Sequence, residues 1–125
     1  PEFGTAAGKD IGTGTGQIPD MSAFTWGLVP ANNSIWCMLP NGVMLQAGRV
    51  DGVGVDGVAT INITPFPTAG IAAVPAVNLA NAIASGMTGV YVAWLTKNTL
   101  QLRSDGVSGG SYPSSFSFYW IAVGH

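Results

Sequence analysis

The stretch Phe116-Ser117-Phe118-Tyr119-Trp120-Ile121-Ala122-Val123-Gly124-His125 decides the fold. With a period of two, Phe116, Phe118, Trp120 and Ala122 share one face of a strand, and Ser117, Tyr119, Ile121 and Val123 share the other. A strand with one face in water alternates apolar with polar, but this one is apolar on nearly both sides. In a chain of 125 residues one such face can fill the core. The other needs a second sheet or a second copy of the chain. The pattern predicts a small, oligomeric β-domain.

Upstream, the same period recurs in short runs. Ser34–Leu39 and Val43–Val50 flank Pro40-Asn41-Gly42, and Asn-Gly between apolar runs is a strong hairpin signal. Asp51–Gly57 reads as a loop or long hairpin tip. In Val58–Thr64, Ala59, Ile61 and Ile63 alternate with Val58, Thr60, Asn62 and Thr64, and Pro65-Phe66-Pro67 then breaks the ladder. Ile71–Leu79 carries Pro75, which predicts an edge or bulged strand. Ala80–Met87 is a short segment weakened as a helix by Ser85-Gly86. Gly89–Thr96 and Thr99–Ser104 form a hairpin about Lys97-Asn98, and Asp105–Ser115 is a glycine-rich loop before the last strand. About seven short strands with turn signals between them predict an all-β sandwich.

The chain before Ser34 reads differently. Pro1–Thr5 looks like a cloning remnant, and no signal peptide is evident. Residues 6–33 read as an extended or flexible connector, with the sandwich occupying 34–125. Gly12-Thr13-Gly14-Thr15-Gly16 has no strand leading into it and no helix after it, so it is not a dinucleotide fingerprint.

Composition excludes several functions. The chain is 47% hydrophobic and only 8% charged, with net charge −2. Lys9, Arg49, Lys97 and Arg103 are scattered, so no stripe exists to neutralise phosphates, and neither nucleic acid nor a membrane surface is an expected partner. No apolar run reaches the roughly 18 residues of a spanning helix. Cys37 is the single cysteine, which leaves no intrachain disulfide. Its setting, Ile35-Trp36-Cys37-Met38-Leu39, reads as a buried thiol.

Leu39-Pro40-Asn41-Gly42-Val43-Met44-Leu45-Gln46-Ala47-Gly48 and, further on, Phe66-Pro67 resemble the "LP-x-G-hydrophobic-Q-x-G" opening and the later "FP" of one family, the C-terminal domains of phage tail fibres. Trp120-Ile121-Ala122-Val123-Gly124-His125 is similar to its "W-I-A-hydrophobic-G-aromatic" close, and Ile11–Met21 resembles the segment joining shaft to tip. Ala47 and His125 stand where the family often has Trp and Tyr. The resemblance implies a homotrimeric tip domain, joined through its N-terminus to the rest of a fibre. It would bind a bacterial surface glycan, such as lipopolysaccharide, or an outer-membrane protein during adsorption, as part of a virion assembled in the host cytoplasm. The alternatives are a bacterial carbohydrate-binding or adhesin module, or a small capsule-degrading enzyme.

Enzyme chemistry is disfavoured by the residues themselves. Glycoside hydrolysis needs two carboxylates across a cleft, and Asp51, Asp56 and Asp105 each precede a glycine, as a turn requires. No cofactor is expected. Three copies of His125 could meet a metal on a three-fold axis, but one ligand per chain favours a plain terminus over a metal site. Trp36, Trp94 and Trp120 lie mid-strand and read as core. For receptor binding the candidates are Asp51 and Asp56 in one glycine-rich loop, Asp105 and Tyr112 in the other, and Arg103 at the strand end beside it. Loops held by a rigid scaffold can vary without disturbing the core, and an exposed loop aromatic can stack on a sugar.

Overall fold

The computed structural model describes residues 5–53, 56–78, 88–106 and 116–125. Eight strands run in the order β1 (Trp26–Val29), β2 (Ser34–Met38), β3 (Met44–Val53), β4 (Val58–Asn62), β5 (Gly70–Asn78), β6 (Thr88–Leu95), β7 (Thr99–Gly106) and β8 (Phe116–Gly124). All pairings are antiparallel, and no α-helix occurs among the described residues. One sheet has five strands in the order β1-β2-β3-β8-β5, the other three in the order β4-β7-β6. The chain is an all-β sandwich, as its alternation predicts.

The turns form where their residues require. Between β2 and β3, Gly42 takes a φ of +90°, and its N–H donates to the Leu39 carbonyl. The Asn41 side chain accepts from the Val43 N–H at 3.1 Å. Between β6 and β7, the Thr96 hydroxyl accepts from the Thr99 N–H at 2.9 Å and closes the tight turn. β5, which carries Pro75, is an edge strand with a register shift between Gly70 and Ala72. An edge position is where a missing N–H is tolerated.

Between the sheets lie Met44, Phe66, Leu100, Leu102, Phe118 and Trp120, all fully buried. Each such side chain contributes roughly 1.5–3 kcal/mol by leaving water. β8 is central to the larger sheet, flanked by β3 and β5, so Phe118, Trp120 and Ala122 face inward. Two glycines make room for rings. A β-carbon on Gly48 would stand 2.7 Å from the Trp120 indole, and one on Gly124 would stand 2.6 Å from the Phe66 ring.

Several features depart from the sequence reading. β1 lies inside the stretch read as connector and pairs with β2, so the sheet begins at Trp26. Nor is the connector extended throughout: the Ile18 N–H donates to the Asp10 carbonyl, and the Gly12 N–H to the Ile18 carbonyl, closing a loop over the glycine run. Asp51 and Gly52 belong to β3, where Gly52 adopts a φ of +75° at a register shift between Val50 and Val53. Asp105 likewise falls on β7. Cys37 is half-buried on the outward face, because its register partners Trp26 and Leu45 face outward too. Trp36 only partly reaches the core, and Trp94 is exposed.

Candidate functional site

Two outward faces result, and their chemistry differs. On the five-stranded sheet, Leu28, Ile35, Ala47, Ile121 and Val74 stand opposite one another in a single row across all five strands. A second row holds Trp26, Cys37, Leu45, Val123 and Ala72. Leu28 is 62% exposed, Ile121 59% and Val74 66%. Beside them, Phe24, Trp26, Ile35, Met38, Leu45 and Ile121 line an apolar groove of about 530 Å³. Contact surfaces commonly carry continuous apolar faces of this kind. One end of it is charged: Arg49 Nε donates to Asp51 Oδ1 at 2.7 Å, and the Ser117 hydroxyl donates to the same oxygen at 2.6 Å. The Arg49 guanidinium, then the Ser117 hydroxyl, hold the Asp51 carboxyl below the ordinary aspartate range.

The three-stranded sheet presents a mixed face. Its rows are Tyr91–Arg103–Val58 and Trp94–Gln101–Thr60 across β6, β7 and β4. Tyr91 and Trp94 sit three residues apart, so strict alternation would send them to opposite faces. A bulge between Val92 and Trp94 removes the conflict. It turns Trp94 outward beside Tyr91 and sends Leu95 inward against the core. Nothing in Val92-Ala93-Trp94 announces this, so the sequence reading of Trp94 as core misses it, and misses Tyr91, Gln101 and Thr60 with it. Gln101 Nε2 donates to Thr60 Oγ1 at 3.1 Å, and Arg103 Nε donates to Gln101 Oε1 at 2.9 Å.

The residues singled out from sequence fall in different places. Arg103 and Asp105 share the outward face of β7, with Asp105 exposed opposite Gly89. Asp56 is exposed in the left-handed conformation (φ +56°), one residue before Gly57. The Gly57 carbonyl accepts from the Ser104 N–H, which ties Asp56 to the same end of the small sheet as Arg103 and Asp105. Asp51 lies apart, on the larger sheet. Tyr112 and the segment Ala80–Met87 lie outside the described residues. The His125 carbonyl accepts from the Thr68 and Ala69 N–H groups at 2.6 Å each, pinning the terminus to the backbone. No group of three or more His, Cys, Asp or Glu suited to a metal ion occurs among the described residues.

The family model of the tail fiber protein gp53-like C-terminal domain matches residues 38–125, well over half of the chain. The chain belongs to this family. It is a C-terminal tail fibre domain, a component of a larger fibre assembly. Solved structures share its fold. An N-truncated R2-type pyocin tail fiber matches with a TM-score of 0.65 at 22% identity, covering 82% of this chain and 37% of the other. The C-terminal part of the R2 pyocin fiber of P. aeruginosa matches with a TM-score of 0.64 at 23% identity, covering 82% of this chain and 26% of that one. An N-truncated R1-type pyocin tail fiber matches with a TM-score of 0.59 at 18% identity, covering 81% and 86%. The tail fibre domain thus spans about a third of the R2-type fragments it matches. No curated protein matches the sequence significantly.

Proposed function

We propose that this domain is the receptor-binding tip of a phage or prophage tail fibre, acting as a homotrimer in host adsorption and without enzymatic activity. The observation that carries the reading is the division between its two outward faces. The apolar rows across β1, β2, β3, β8 and β5 suit contact between copies, which removes them from water at a favourable roughly 25 cal/mol per Å². The face of β4, β7 and β6, with Arg103, Asp105 and neighbouring Asp56, then points away from the other subunits and toward the host. Tyr112 and Asp51 remain further candidates. Three modest sites on one tip, repeated over several fibres, give firm adhesion through effective concentration.

The test is adsorption. Fluorescently labelled protein, incubated with a panel of bacterial strains, should decorate some strains and not others. It should also slow infection or killing of the decorated strains by competing for their receptor. Absence of binding to every strain that the parent particle attacks would remove the reading.

A further inference from the structure

We propose that the outward face of the three-stranded sheet is a saccharide-stacking platform, with Tyr91 and Trp94 as its aromatic floor and Thr60 and Arg103, held by Gln101 between them, as the groups that read hydroxyls. The proposal rests on the receptor-binding reading above and names its ligand class and its face. Tyr91 is 41% exposed and Trp94 44%, an unusual position for two large rings on adjacent rows of one strand. They are brought together by the bulge after Val92, a departure from regular pairing that also turns Leu95 toward the core. Because their partners Arg103 and Gln101 are two residues apart, the two rings stand roughly 7 Å apart along the strand. That spacing lets successive rings of a glycan rest on each.

The polar row has the complementary chemistry. Gln101 is 6% exposed although it points away from the core, and it is held by Thr60 on one side and Arg103 on the other. A walled-in amide has a fixed orientation, so Gln101 holds the Thr60 hydroxyl and the Arg103 guanidinium beside it in set positions. Sugar hydroxyls both donate and accept, and their C–H faces meet aromatic faces well. A second copy of the chain is the poorer occupant. The apolar five-stranded sheet is the better contact for a copy, and covering Thr60 and Arg103 with protein would demand new partners for both.

The experiment uses the 125-residue protein on an array of immobilised bacterial lipopolysaccharides and capsular polysaccharides. Calorimetry on any polysaccharide bound then compares the wild type with Tyr91→Ala, Trp94→Ala and Trp94→Phe. We expect at least one polysaccharide to bind, each alanine variant to weaken it about tenfold, and Trp94→Phe to retain most of the affinity. Thermal melts and sedimentation should stay unchanged. Wild-type affinity in both alanine variants would place the site elsewhere. A change of assembly state in Trp94→Ala would make the face a subunit contact and overturn the proposal. Binding to cells with no polysaccharide bound would overturn it too while leaving the receptor reading intact, whereas binding to neither would remove both.

Discussion

The side-chain amide of Gln46 is bonded to both backbone groups of Thr64: its Nε2 donates to the Thr64 carbonyl at 2.6 Å, and its Oε1 accepts from the Thr64 N–H at 3.1 Å. Thr64 lies just beyond β4, where Pro65 prevents the ladder from continuing. Gln46, 2% exposed on β3, supplies the partners a neighbouring strand would have given and fastens one sheet to the other.

Gln46→Ala should therefore cost about 2–4 kcal/mol, since it leaves two backbone groups unpaired at the sheet junction. Urea denaturation would show it as a lower midpoint with little change in slope. In Gln46→Glu, an ionised carboxylate cannot donate to the Thr64 carbonyl, so folding should raise that carboxyl's pKa. A raised pKa adds stability below the unfolded value of about 4.3 and loses it as pH rises through the folded one. The Glu variant should gain on wild type as pH falls; a pH-independent difference would contradict this account.

Gly48→Ala should destabilise the domain by about 1–3 kcal/mol, because the added carbon must displace the Trp120 indole. Trp120→Leu should cost several kcal/mol alone, as large-to-small core changes do. Combined, the two should cost less than their sum, because the smaller side chain frees the space the methyl needs. Strict additivity in a double-mutant cycle would show that the two positions do not share that space.

Asp51 should titrate below the ordinary aspartate value of about 3.9, because Arg49 and then Ser117 hold its charged form. A depressed pKa contributes stability above the unfolded value and loses it as pH falls through the folded one. Carboxyl NMR titration should show the low value in wild type and its return toward the ordinary range in Arg49→Gln. Ser117→Ala should produce a smaller return.

Ile121→Asp and Ile35→Glu should each weaken self-association more than tenfold while leaving the sandwich folded. Both side chains belong to the row that crosses the five-stranded sheet and are already exposed in the single chain. A charge there costs little in the monomer and much in a subunit contact. Sedimentation equilibrium should show a trimer for wild type and monomer for the variants, with matching circular dichroism. Wild-type protein that remains monomeric at micromolar concentration would defeat the prediction.

The stretches that carry the family resemblance turn out to build the scaffold. Gln46 fastens to Thr64, Gly48 yields space to Trp120, and Phe66 lies under Gly124. These are contacts between residues far apart in sequence, and each demands one residue type, which is why such motifs stand out in a single chain. The inward face of β8 and the alternation of β4 were legible for a related reason. Burial on one side of a sheet imposes a period of two on the residues, and that period survives in the sequence.

The outward face of the three-stranded sheet left no such trace. Arg103 and Asp105 could be picked out as polar groups beside a loop, but their company could not. Tyr91 and Trp94 share a face only because one residue is left out of the β6–β7 ladder, and Thr60 reaches Gln101 only because β4 pairs with β7 across 41 positions of chain. The sequence by itself determined β2 to β8, their hairpins and most of the inward faces, since these follow from local turn chemistry and apolar period. Which side chains meet on the outer faces was decided by tertiary structure alone. Strand order, register and a single bulge set that arrangement, and a bulge inverts the alternation from which a side chain's direction would otherwise be read.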